Sequence, residues 1–358
     1  MSTPILGGNG PEELTGTNEG ELIEGLEGND TLFGLGGNDT LVGGDGDDSM
    51  EGGDGDDLFE NTPGRDTADG GAGNDWVVDD VSGVEAGSFT VLADLSEGTK
   101  YALEFPESGR DAILNIENYG LIGAVDVRAI GTSDANELYS GSGNDNLNGR
   151  EGNDTLRGGD GNDTLNGADG DDVIEGGATE ADLRDVVYGG DGNDNIDGGY
   201  GNDELRGDAG NDTVSGGFGT DTVIGAAGDD VLTGAAWSDL LYGGAGNDFV
   251  NGGFGYDRVN GGEGADRFFH LGVADHGSDW IQDYDAAQGD VLVFGGSGAR
   301  AQDFLVQITE TANAGEAGVQ EAFITHIPSG NLLWALVDGD AQAEINIQLG
   351  GEVFDLLT

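Results

Sequence analysis

Aliphatic side chains recur every nine residues over two long stretches of the chain. Counted from Gly7, the eighth place of each nine-residue unit is Leu14, Ile23, Leu32, Leu41, Met50, Phe59, Ala68 and Val77. Small or polar residues flank most of these positions, which is the pattern of a short strand with one inward side chain. The pattern predicts an array of short β-strands.

A glycine-rich turn with an acid at a fixed place precedes each strand. The phrase from Gly207 to Ile224 reads GDAGNDTVS and then GGFGTDTVI, with Asp at the sixth place. Glycine lets the backbone take positive φ and aim its carbonyl groups at one point, and the Asp adds a carboxylate there. Such oxygens are the ligands that Ca²⁺ prefers, so each unit supplies half of a calcium site.

The same nine-residue pattern continues in a second stretch from residue 131. The unit that begins at 176 carries four extra residues, so its acid is Asp185. The sixth place is Glu12, Glu21 or Asn136 in the first units of the two stretches, which we interpret as caps. Asp66 follows Pro63 and Arg65 in a glycine-poor turn, and we leave it out. The candidate calcium ligands are Asp30, Asp39, Asp48, Asp57, Asp75, Asp145, Asp154, Asp163, Asp172, Asp185, Asp194, Asp203, Asp212, Asp221, Asp230, Asp239, Asp248, Asp257 and Asp266.

The family resemblance given below implies that two units make one coil of 18 residues, so we expect residues 18 apart in this sequence to stack. Stacked strands lie about 4.8 Å apart, and two carboxylates at that distance repel each other unless a hard cation lies between them. Asp212 therefore needs Asp194 and Asp230 as partners. We expect on the order of a dozen bound Ca²⁺ ions, because several turns depart from the pattern.

The repeated phrase resembles the Gly-Gly-x-Gly-x-Asp-x-aliphatic-x nonapeptide of the RTX, or hemolysin-type, calcium-binding family. The resemblance implies an all-β fold, a right-handed parallel β-roll or β-helix solenoid closed by a C-terminal β cap. It also implies type I secretion and an extracellular location. The flank from Gly277 to Tyr284 and the ending from Val353 to Thr358 are similar to the C-terminal parts of such secreted proteins.

Interruptions of the nine-residue period divide the chain into four segments. Residues 1–78 form a first β-roll block with a degenerate N-terminal cap, and residues 131–269 form a second block. Residues 79–130 read as a β-solenoid insert, with a separate small domain as the alternative. Residues 270–358 lose the period and gain aromatic residues, which favours a β cap and secretion region.

Charge and composition exclude several classes of partner. The chain has 73 Gly, 72 acidic and 11 basic residues and a formal net charge of −61, which repels nucleic acid and anionic lipid and favours cations. It contains no Cys, so disulfides and thiolate metal sites are excluded. Residues 1–6 lack the features of a Sec signal peptide, and the apolar run at 332–337 is too short to span a membrane.

Some residues of the C-terminal segment allow two interpretations. His270 and His276 either share a metal or pack in the cap, and packing is the more common role. Asp275, Asp279, Asp283, Asp285 and Asp290 either form an extra calcium site or a solvated acidic face. The four Trp residues of the chain, Trp76, Trp237, Trp280 and Trp334, are expected to be core or cap residues more than a platform for sugars.

The sequence contains no Gly-x-Ser-x-Gly elbow, no His-Glu-x-x-His motif, no P-loop and no Cys nucleophile, and no pair of catalytic carboxylates can be located among its 72 acids, so we expect no enzymatic activity. The expected function is that of a secreted calcium-binding protein that folds outside the cell and has a structural or adhesive role. A surface glycan or another protein is the expected partner beside calcium and the secretion machinery. The alternative is a carbohydrate-active β-helix protein that modifies a polysaccharide.

Overall fold

The computed structural model describes residues 3–60, 62–80, 90–96, 98–102, 111–273, 276–311 and 320–358. The chain divides into two compact units, Met1–Gly177 and Ala178–Thr358. Each unit is described here by itself. In both of them the described residues form short β-strands joined by tight turns, and the described part contains two 3₁₀ turns and no α-helix.

The first unit contains the following strands: β1 (Ile5–Leu6), β2 (Glu13–Thr15), β3 (Leu22–Glu27), β4 (Thr31–Gly36), β5 (Thr40–Asp45), β6 (Ser49–Asp54), β7 (Leu58–Glu60), β8 (Thr67–Ala72), β9 (Trp76–Asp80), β10 (Thr90–Asp94), β11 (Thr99–Ala102), β12 (Asp111–Leu114), β13 (Asn118–Ile122), β14 (Asp126–Ile130), β15 (Glu137–Tyr139), β16 (Ser142–Gly143), β17 (Asn146–Glu151), β18 (Thr155–Arg157), β19 (Asp160–Gly161), β20 (Thr164–Asp169) and β21 (Val173–Gly177).

The second unit contains the remaining elements: β22 (Val186–Asp191), β23 (Asn195–Gly199), β24 (Glu204–Ala209), β25 (Thr213–Phe218), β26 (Thr222–Ala227), β27 (Val231–Ala236), β28 (Leu240–Ala245), β29 (Phe249–Phe254), β30 (Arg258–Glu263), β31 (Arg267–His270), β32 (Asp279–Ile281), β33 (Val291–Phe294), a 3₁₀ turn at Ala301–Asp303, β34 (Phe304–Thr309), β35 (Glu321–His326), β36 (Asn331–Leu336), a 3₁₀ turn at Gly339–Ala341, β37 (Asn346–Leu349) and β38 (Glu352–Asp355).

Repeat strands pair in parallel with the strand two further along the chain. Leu205 of β24, for example, lies opposite Val187 of β22 on one side and Val223 of β26 on the other, an offset of 18 residues each way. Within each unit the strands of alternate repeats thus belong to two different, mainly parallel sheets. Each unit is therefore a parallel β-solenoid, as the resemblance to the RTX nonapeptide implies.

One aliphatic side chain and one glycine per repeat fill the interior. The strand Thr31–Gly36 shows this: Leu32 and Gly34 are buried, and the residues beside them are partly exposed. The predicted inward positions are buried throughout, with Leu14 at the N-terminal edge as a half-buried exception. The buried set is Ile23, Leu32, Leu41, Met50, Phe59, Ala68, Val77, Leu138, Leu147, Leu156, Leu165, Ile174, Val187, Ile196, Leu205, Val214, Val223, Leu232, Leu241, Val250, Val259 and Phe268.

The described strands of segment 79–130 join the sheets of the first unit. β13 pairs in parallel with β9 before it and β15 after it. On the other sheet, β12 pairs with β8 and β14 pairs with β10, and the antiparallel strand β11 lies between β12 and β10. Inside this coil the buried Tyr119 hydroxyl donates to Asp79 at 2.8 Å. In the alternating sequence Phe89-Thr90-Val91-Leu92 of this segment, β10 begins at Thr90, and Phe89 lies outside the described residues.

The second unit changes from parallel to antiparallel pairing near its C-terminus. β32 and β33 extend the two sheets in parallel, and β36 and β37 follow them. β35 then pairs antiparallel with β36, and β38 pairs antiparallel with β37. Trp334, Ile347 and Leu292 are buried between these strands. The antiparallel strands occupy the edges to which further parallel coils would otherwise add.

Candidate metal centres

The sixth-place Asp residues form ladders along the turns of each unit. In each ladder the backbone N–H of one Asp donates to Oδ1 of the Asp one coil further on, and the bond from Asp212 to Asp230 is 2.9 Å long. The N···O distances of the equivalent Asp-to-Asp bonds lie between 2.7 and 3.0 Å. All of the predicted calcium ligands are buried, and none is more than 3% exposed.

The second carboxylate oxygen of the ladder residues faces a different environment. Oδ2 is buried and receives no hydrogen bond from any described residue in the following predicted ligands: Asp30, Asp39, Asp48, Asp57, Asp75, Asp145, Asp154, Asp203, Asp212, Asp221, Asp230, Asp239, Asp248, Asp257 and Asp266. A buried ionised oxygen without a partner is strongly unfavourable in a protein interior. The ladders therefore need a positive charge at Oδ2 to be stable at neutral pH.

The glycine at the first place of each repeat leaves room beside Oδ2. A Cβ atom on Gly207 would overlap the carboxylate of Asp212, and one on Gly225 would overlap the carboxylate of Asp230. The position of a Cβ on Gly216 would be 2.6 Å from Oδ2 of Asp221 and 2.8 Å from the carbonyl oxygen of Gly234, one coil on. Carboxylate and carbonyl oxygens of two successive coils thus border the same small space.

This set of ligands fits a hard cation that accepts many oxygens. No three His, Cys, Asp or Glu side chains converge on one point in the described ranges, so each centre must draw much of its coordination from backbone carbonyls. Ca²⁺ takes six to eight such oxygens in flexible geometry, whereas Mg²⁺ demands a regular octahedron and keeps its waters. The ladder Asp residues would hold the ion, which supplies the positive charge that the buried carboxylates lack.

Burial also changes the protonation of the ladders. Removal from water raises the pKa of Asp212 and of Asp239 to about 7, and the neighbouring ladder carboxylates add to the increase. The pKa of Asp145 rises to about 8 for the same two reasons, burial first. The hydrogen bond from a backbone N–H to each Oδ1 lowers the pKa, but the increase caused by burial is larger. Without a cation, these carboxyls in the folded chain bind protons near neutral pH.

In repeats without a predicted ligand, the side chain at the sixth place accepts a hydrogen bond from a residue of its own turn. Glu21 accepts the backbone N–H of Thr17 at 2.9 Å and its hydroxyl at 2.7 Å. Asn136 accepts the backbone N–H of Thr132 at 2.6 Å. Asp66, which the sequence analysis left out, accepts the hydroxyl of Thr62 at 3.4 Å. In each case a residue four places earlier supplies the partner, so these turns have less need of a cation.

Two departures that made the sequence pattern irregular leave the ladder intact. Asp185 follows a four-residue insertion, and its backbone N–H donates to Oδ1 of Asp203 at 2.8 Å like its counterparts. Asp239 follows Trp237 where glycine is expected, and it donates to Asp257 at 2.9 Å. The sixth-place phase is therefore kept by the stacking of coils even where a turn changes its length or composition.

The structure brings further acids to the ladders, and the sequence analysis considered one of them, Asp290, only as part of an extra site. Glu117 accepts the backbone N–H of Asp75 at 2.9 Å, across 42 residues. Asp290 accepts the backbone N–H of Asp266 at 2.9 Å and so extends one ladder of the second unit. Asp182 is buried within the four-residue insertion, and its charge raises the pKa of Asp203. None of these acids lies in the nine-residue phase, so periodicity carried no signal for them.

The five acids considered as an extra site have separate roles. Asp283 accepts the backbone N–H groups of Gly261 and Gly262, and Asp290 accepts those of Asp266 and Asp285, so both oxygens of each are occupied. Asp285 itself accepts the N–H of Ala287 and lies near the surface. Asp275 lies outside the described residues. The described members thus act mainly as acceptors for backbone N–H groups.

Asp279 is the member of that group that resembles a ladder residue. Its carboxylate faces the backbone N–H and the carboxyl of Asp257, and its Oδ1 is buried without a hydrogen-bond partner among the described residues. Burial and the charge of Asp257 raise its pKa well above the ordinary value. Asp279 therefore extends the ladder of Asp257 by one coil.

The paired histidines pack in the C-terminal region. The two rings lie 4.4 Å apart between centroids. Nδ1 of His270 accepts the N–H of Gly272 at 2.9 Å, and its Nε2 lies 3.2 Å from the carbonyl oxygen of Gly277. Both nitrogens of His270 are therefore occupied, which favours packing over a shared metal. Burial lowers the pKa of His270 to about 4, so the ring is neutral at pH 7.

The expectation for the four Trp residues is wrong for one of them. Trp334 is fully buried, Trp76 packs on Tyr139 and Trp280 packs on Phe323. Trp237, in contrast, is 67% exposed. It occupies the fourth place of its turn, where the side chain points away from the thin interior.

The stacked coils, the buried carboxylates and the glycine-lined spaces together define a cation-binding β-solenoid. The model of the RTX calcium-binding nonapeptide repeat matches this chain at residues 6–41, 24–59, 51–78, 128–156, 148–179, 182–214, 197–232, 215–250, 224–259 and 242–275. These matches cover more than half of the chain. The chain therefore belongs to the RTX calcium-binding repeat family, and its cofactor is Ca²⁺, bound at multiple repeats.

A comparison with solved structures gives a related module. The chain is similar to the AlgE6R3 subunit from the Azotobacter vinelandii mannuronan C5-epimerase, with 27% sequence identity over 44% of this chain and 80% of that chain and a TM-score of 0.26. A search of curated proteins gave no significant match. Among the described residues, no helix has the length and apolar character that a membrane crossing requires.

Proposed function

We propose that this protein is secreted without calcium, folds when its repeats bind Ca²⁺ outside the cell, and then has a structural or adhesive role at a cell surface or in a matrix. The observation that carries the proposal is the pair of roles within each ladder carboxylate. In Asp230, for example, Oδ1 accepts the backbone N–H of Asp212 in the preceding coil, while Oδ2 is buried without a hydrogen-bond partner among the described residues. Folding creates this arrangement, so calcium binding and folding are coupled.

The thin interior supports a strong dependence on calcium. Each repeat buries one aliphatic side chain, while ordering its backbone costs about 1 to 2 kcal/mol per residue. The formal charge of −61 adds repulsion between the acids of the compact state. Each ion that binds only the folded chain returns about 2.7 kcal/mol when its concentration is 100 times its Kd.

The same dependence supports export in the unfolded state. Low free calcium inside a cell leaves the ladders without a counter-charge, and a narrow type I channel requires an extended chain. High calcium outside then favours the folded solenoid. The stretch from Gly277 to Tyr284, which resembles the flank of type I substrates, supports this route, and the absence of Cys suits folding without disulfides.

Calcium titration of the full chain tests the proposal. Far-UV circular dichroism and hydrodynamic radius are measured on chelator-treated protein as Ca²⁺ is added, with Mg²⁺ as the control ion. We expect an expanded chain with little β signal in chelator, and a cooperative gain of β signal with compaction in Ca²⁺ only. Full β content in chelator, or equal folding by Mg²⁺, would contradict calcium-coupled folding.

A second experiment tests location and role. Cells that express the chain with and without a type I transporter are separated into cytosol, surface and medium. We expect transporter-dependent export and release of the surface fraction by chelator. A folded chain retained in the cytosol would contradict the proposed route and place.

A further inference from the structure

One series of turns in the second unit carries aromatic side chains, most of them exposed. Tyr200, Phe218 and Phe254 occupy the third place of their turns, Trp237 the fourth and Tyr256 the fifth. Tyr200 pairs with Phe218 across a β-bridge, and their rings stack with centroids 4.7 Å apart. Phe254 lies one coil beyond Ala236, which lies one coil beyond Phe218. We call these five aromatic residues the aromatic strip.

Four of the five side chains of the strip are exposed to solvent, and Tyr200 is half-buried. Trp237 is 67% and Tyr256 is 70% exposed, and Phe218 and Phe254 are about half exposed. Side chains as large as these bury most of their surface in an ordinary soluble protein, so a row of them on one face indicates a contact surface. The strip continues over four successive coils of one turn face.

The conformation of Trp237 provides an independent observation. Its φ is 91°, in the left-handed region that disfavours any side chain, whereas the equivalent fourth places hold Gly201 and Gly219 with φ of 147° and 152°. Its backbone N–H is held by the carbonyl of Phe254 at 2.6 Å. A bulky, strained and exposed side chain contributes little to folding, and such outliers concentrate at functional positions.

The charge of these turns narrows the class of ligand. Turns 199–202, 217–220, 235–238 and 253–256 contain no charged residue, in a chain with 72 acids. The turns of the alternate face carry Asp191, Asp208, Asp229 and Glu263. Arg258, on the strand after the last of the four turns, is the basic residue nearest to the strip in sequence. The strip thus offers aromatic rings without a set of cationic groups for an acidic ligand.

Uncharged polar groups line the same turns. Asn202, Thr220 and Ser238 occupy the fifth places, and the backbone N–H of Thr220 donates to Asn202 at 3.0 Å. Amide and hydroxyl groups beside aromatic faces are complementary to pyranose rings, which present C–H groups on their faces and hydroxyls at their edges. The regular rise of about 4.8 Å per coil spreads these contacts along a line.

We propose that the aromatic strip binds a chain of uncharged sugars, a neutral polysaccharide. The neutral polysaccharide would be the ligand in the proposed adhesive role. The proposal rests on the proposed function, because the strip forms only in the calcium-folded chain. A second copy of this chain is disfavoured as the occupant because a formal charge of −61 leaves the folded chain strongly negative even with about a dozen bound Ca²⁺ ions, so two copies repel each other. The same repulsion disfavours anionic lipid and acidic polysaccharides.

Binding of the full chain in saturating calcium to defined polysaccharides tests this inference. The probes are microcrystalline cellulose, a soluble mixed-linkage glucan, galactomannan and amylose, with polygalacturonate and heparin as acidic comparators. We expect binding to at least one neutral probe and none tighter to the acidic ones. The double variant W237G/Y256S should bind at least about tenfold more weakly, the loss expected from two aromatic contacts.

The variants are chosen so that folding and binding are separated. Trp237→Gly restores the residue that the positive φ favours, so the turn is retained. Tyr242→Ser removes an aromatic residue from a strand outside the strip and should bind like the unaltered chain. Circular dichroism in calcium is recorded for every variant, so a failure of calcium-coupled folding is seen there, while a failure of the strip appears in binding alone.

Three results would overturn the inference. They are binding to none of the neutral probes, W237G/Y256S binding as well as the unaltered chain, and tighter binding to polygalacturonate or heparin than to any neutral probe. Sedimentation velocity on the same samples adds a fourth. If the unaltered chain is a dimer and W237G/Y256S is a monomer, the strip binds a second copy of the chain instead.

Discussion

The backbone N–H of Asp212 donates to Oδ1 of Asp230 one coil further on, and Oδ2 of Asp230 lies buried beside Gly225 without a hydrogen-bond partner among the described residues. One side chain thus joins two coils through one oxygen and offers the other to a cation. Because Asp212 has the same relationship to Asp194, each ladder residue connects the coil before it to the coil after it. Loss of one residue should therefore be felt in two coils.

The substitution Asp212→Asn separates the two oxygens of a ladder residue. The amide keeps an acceptor for the N–H of Asp194 but removes the charge that faces the cation. In saturating Ca²⁺ we expect the free energy of unfolding to decrease by about 2 to 3 kcal/mol, the amount that one occupied site provides at 100 times its Kd. Without metal the same variant should be slightly more folded, because one buried charge is gone. Calcium titrations followed by circular dichroism measure both effects.

Asp66→Asn is the matched control for that substitution. Asp66 has the same place in its repeat and also accepts the backbone N–H of the preceding ladder residue, Asp48, but the hydroxyl of Thr62 faces its Oδ2. We expect a change below about 1 kcal/mol and an almost unchanged calcium midpoint. Equal shifts of the calcium midpoint for the two variants would show that a missing hydrogen-bond partner at Oδ2 does not mark a cation site.

Gly207→Ala tests the space beside the carboxylate. Gly207 does not have positive φ, so the cost of a methyl group comes from its overlap with the carboxylate of Asp212. We expect a weaker calcium response and a loss of about 1 to 3 kcal/mol, as is usual for an overfilled site. Differential scanning calorimetry at several calcium concentrations measures both.

Gly10→Ala is the control for the glycine experiment. Nothing lies within 4 Å of a Cβ built on Gly10, and its φ is not in the left-handed region. Alanine there should leave the calcium midpoint unchanged and the stability equal or higher by up to about 1 kcal/mol. If Gly207→Ala behaves like Gly10→Ala, the space between Gly207 and the carboxylate of Asp212 is not where the ion binds.

Sequence periodicity was sufficient to predict the parts of the molecule that repeat. Leu205 and Asp212 lie at the phases that the nine-residue pattern assigns them, one inward and one in the ladder, because stacked coils force each residue type to recur at a fixed offset. The same logic predicted the parallel solenoid and the calcium chemistry.

Features that depend on one turn or on distant residues were not predicted. The hydroxyl of Thr62 satisfies Asp66 through a local bond that no period encodes. Glu117 replaces a ladder Asp after an insertion of irregular length, so only the fold reveals its partner Asp75. Trp237 was expected to be a core or cap residue, yet its side chain is exposed, because a turn around an interior of one aliphatic side chain per repeat has no room for an indole. The division into segments 1–78, 79–130, 131–269 and 270–358 remains a prediction.

Leu205→Ala tests how much the thin interior contributes. The side chain is fully buried between Val187 and Val223, so its loss leaves a cavity that the stacked coils cannot close. We expect a loss of about 2 to 5 kcal/mol in saturating calcium, measured by urea unfolding. Leu183→Ala, at a position 56% exposed, should change stability by less than about 0.5 kcal/mol. Similar losses for both would mean that calcium alone holds the coils together.

Acid should replace part of the calcium requirement. Burial raises the pKa of Asp203, Asp212 and Asp248 from the ordinary value of 3.8 to about 7 in the folded chain without metal. A carboxyl whose pKa is higher in the folded state stabilises that state fully below 3.8, and this contribution is lost as the pH rises through about 7. In metal-depleted buffer we therefore expect the far-UV β signal to increase as the pH is lowered from about 8 to about 5.

Single neutral substitutions distinguish the ladder from the general effect of lowering the charge. Asp212→Asn mimics a protonated ladder carboxyl and should show more β signal than the unaltered chain in metal-depleted buffer at high pH. Asp229 is exposed, and hydrogen bonds from Asn247 lower its pKa, so Asp229→Asn removes an equal charge from a group that folding does not protonate. This variant should gain no β signal. A β signal that stays flat or decreases on acidification would exclude the acid effect. Equal gains for Asp212→Asn and Asp229→Asn would assign it to net charge.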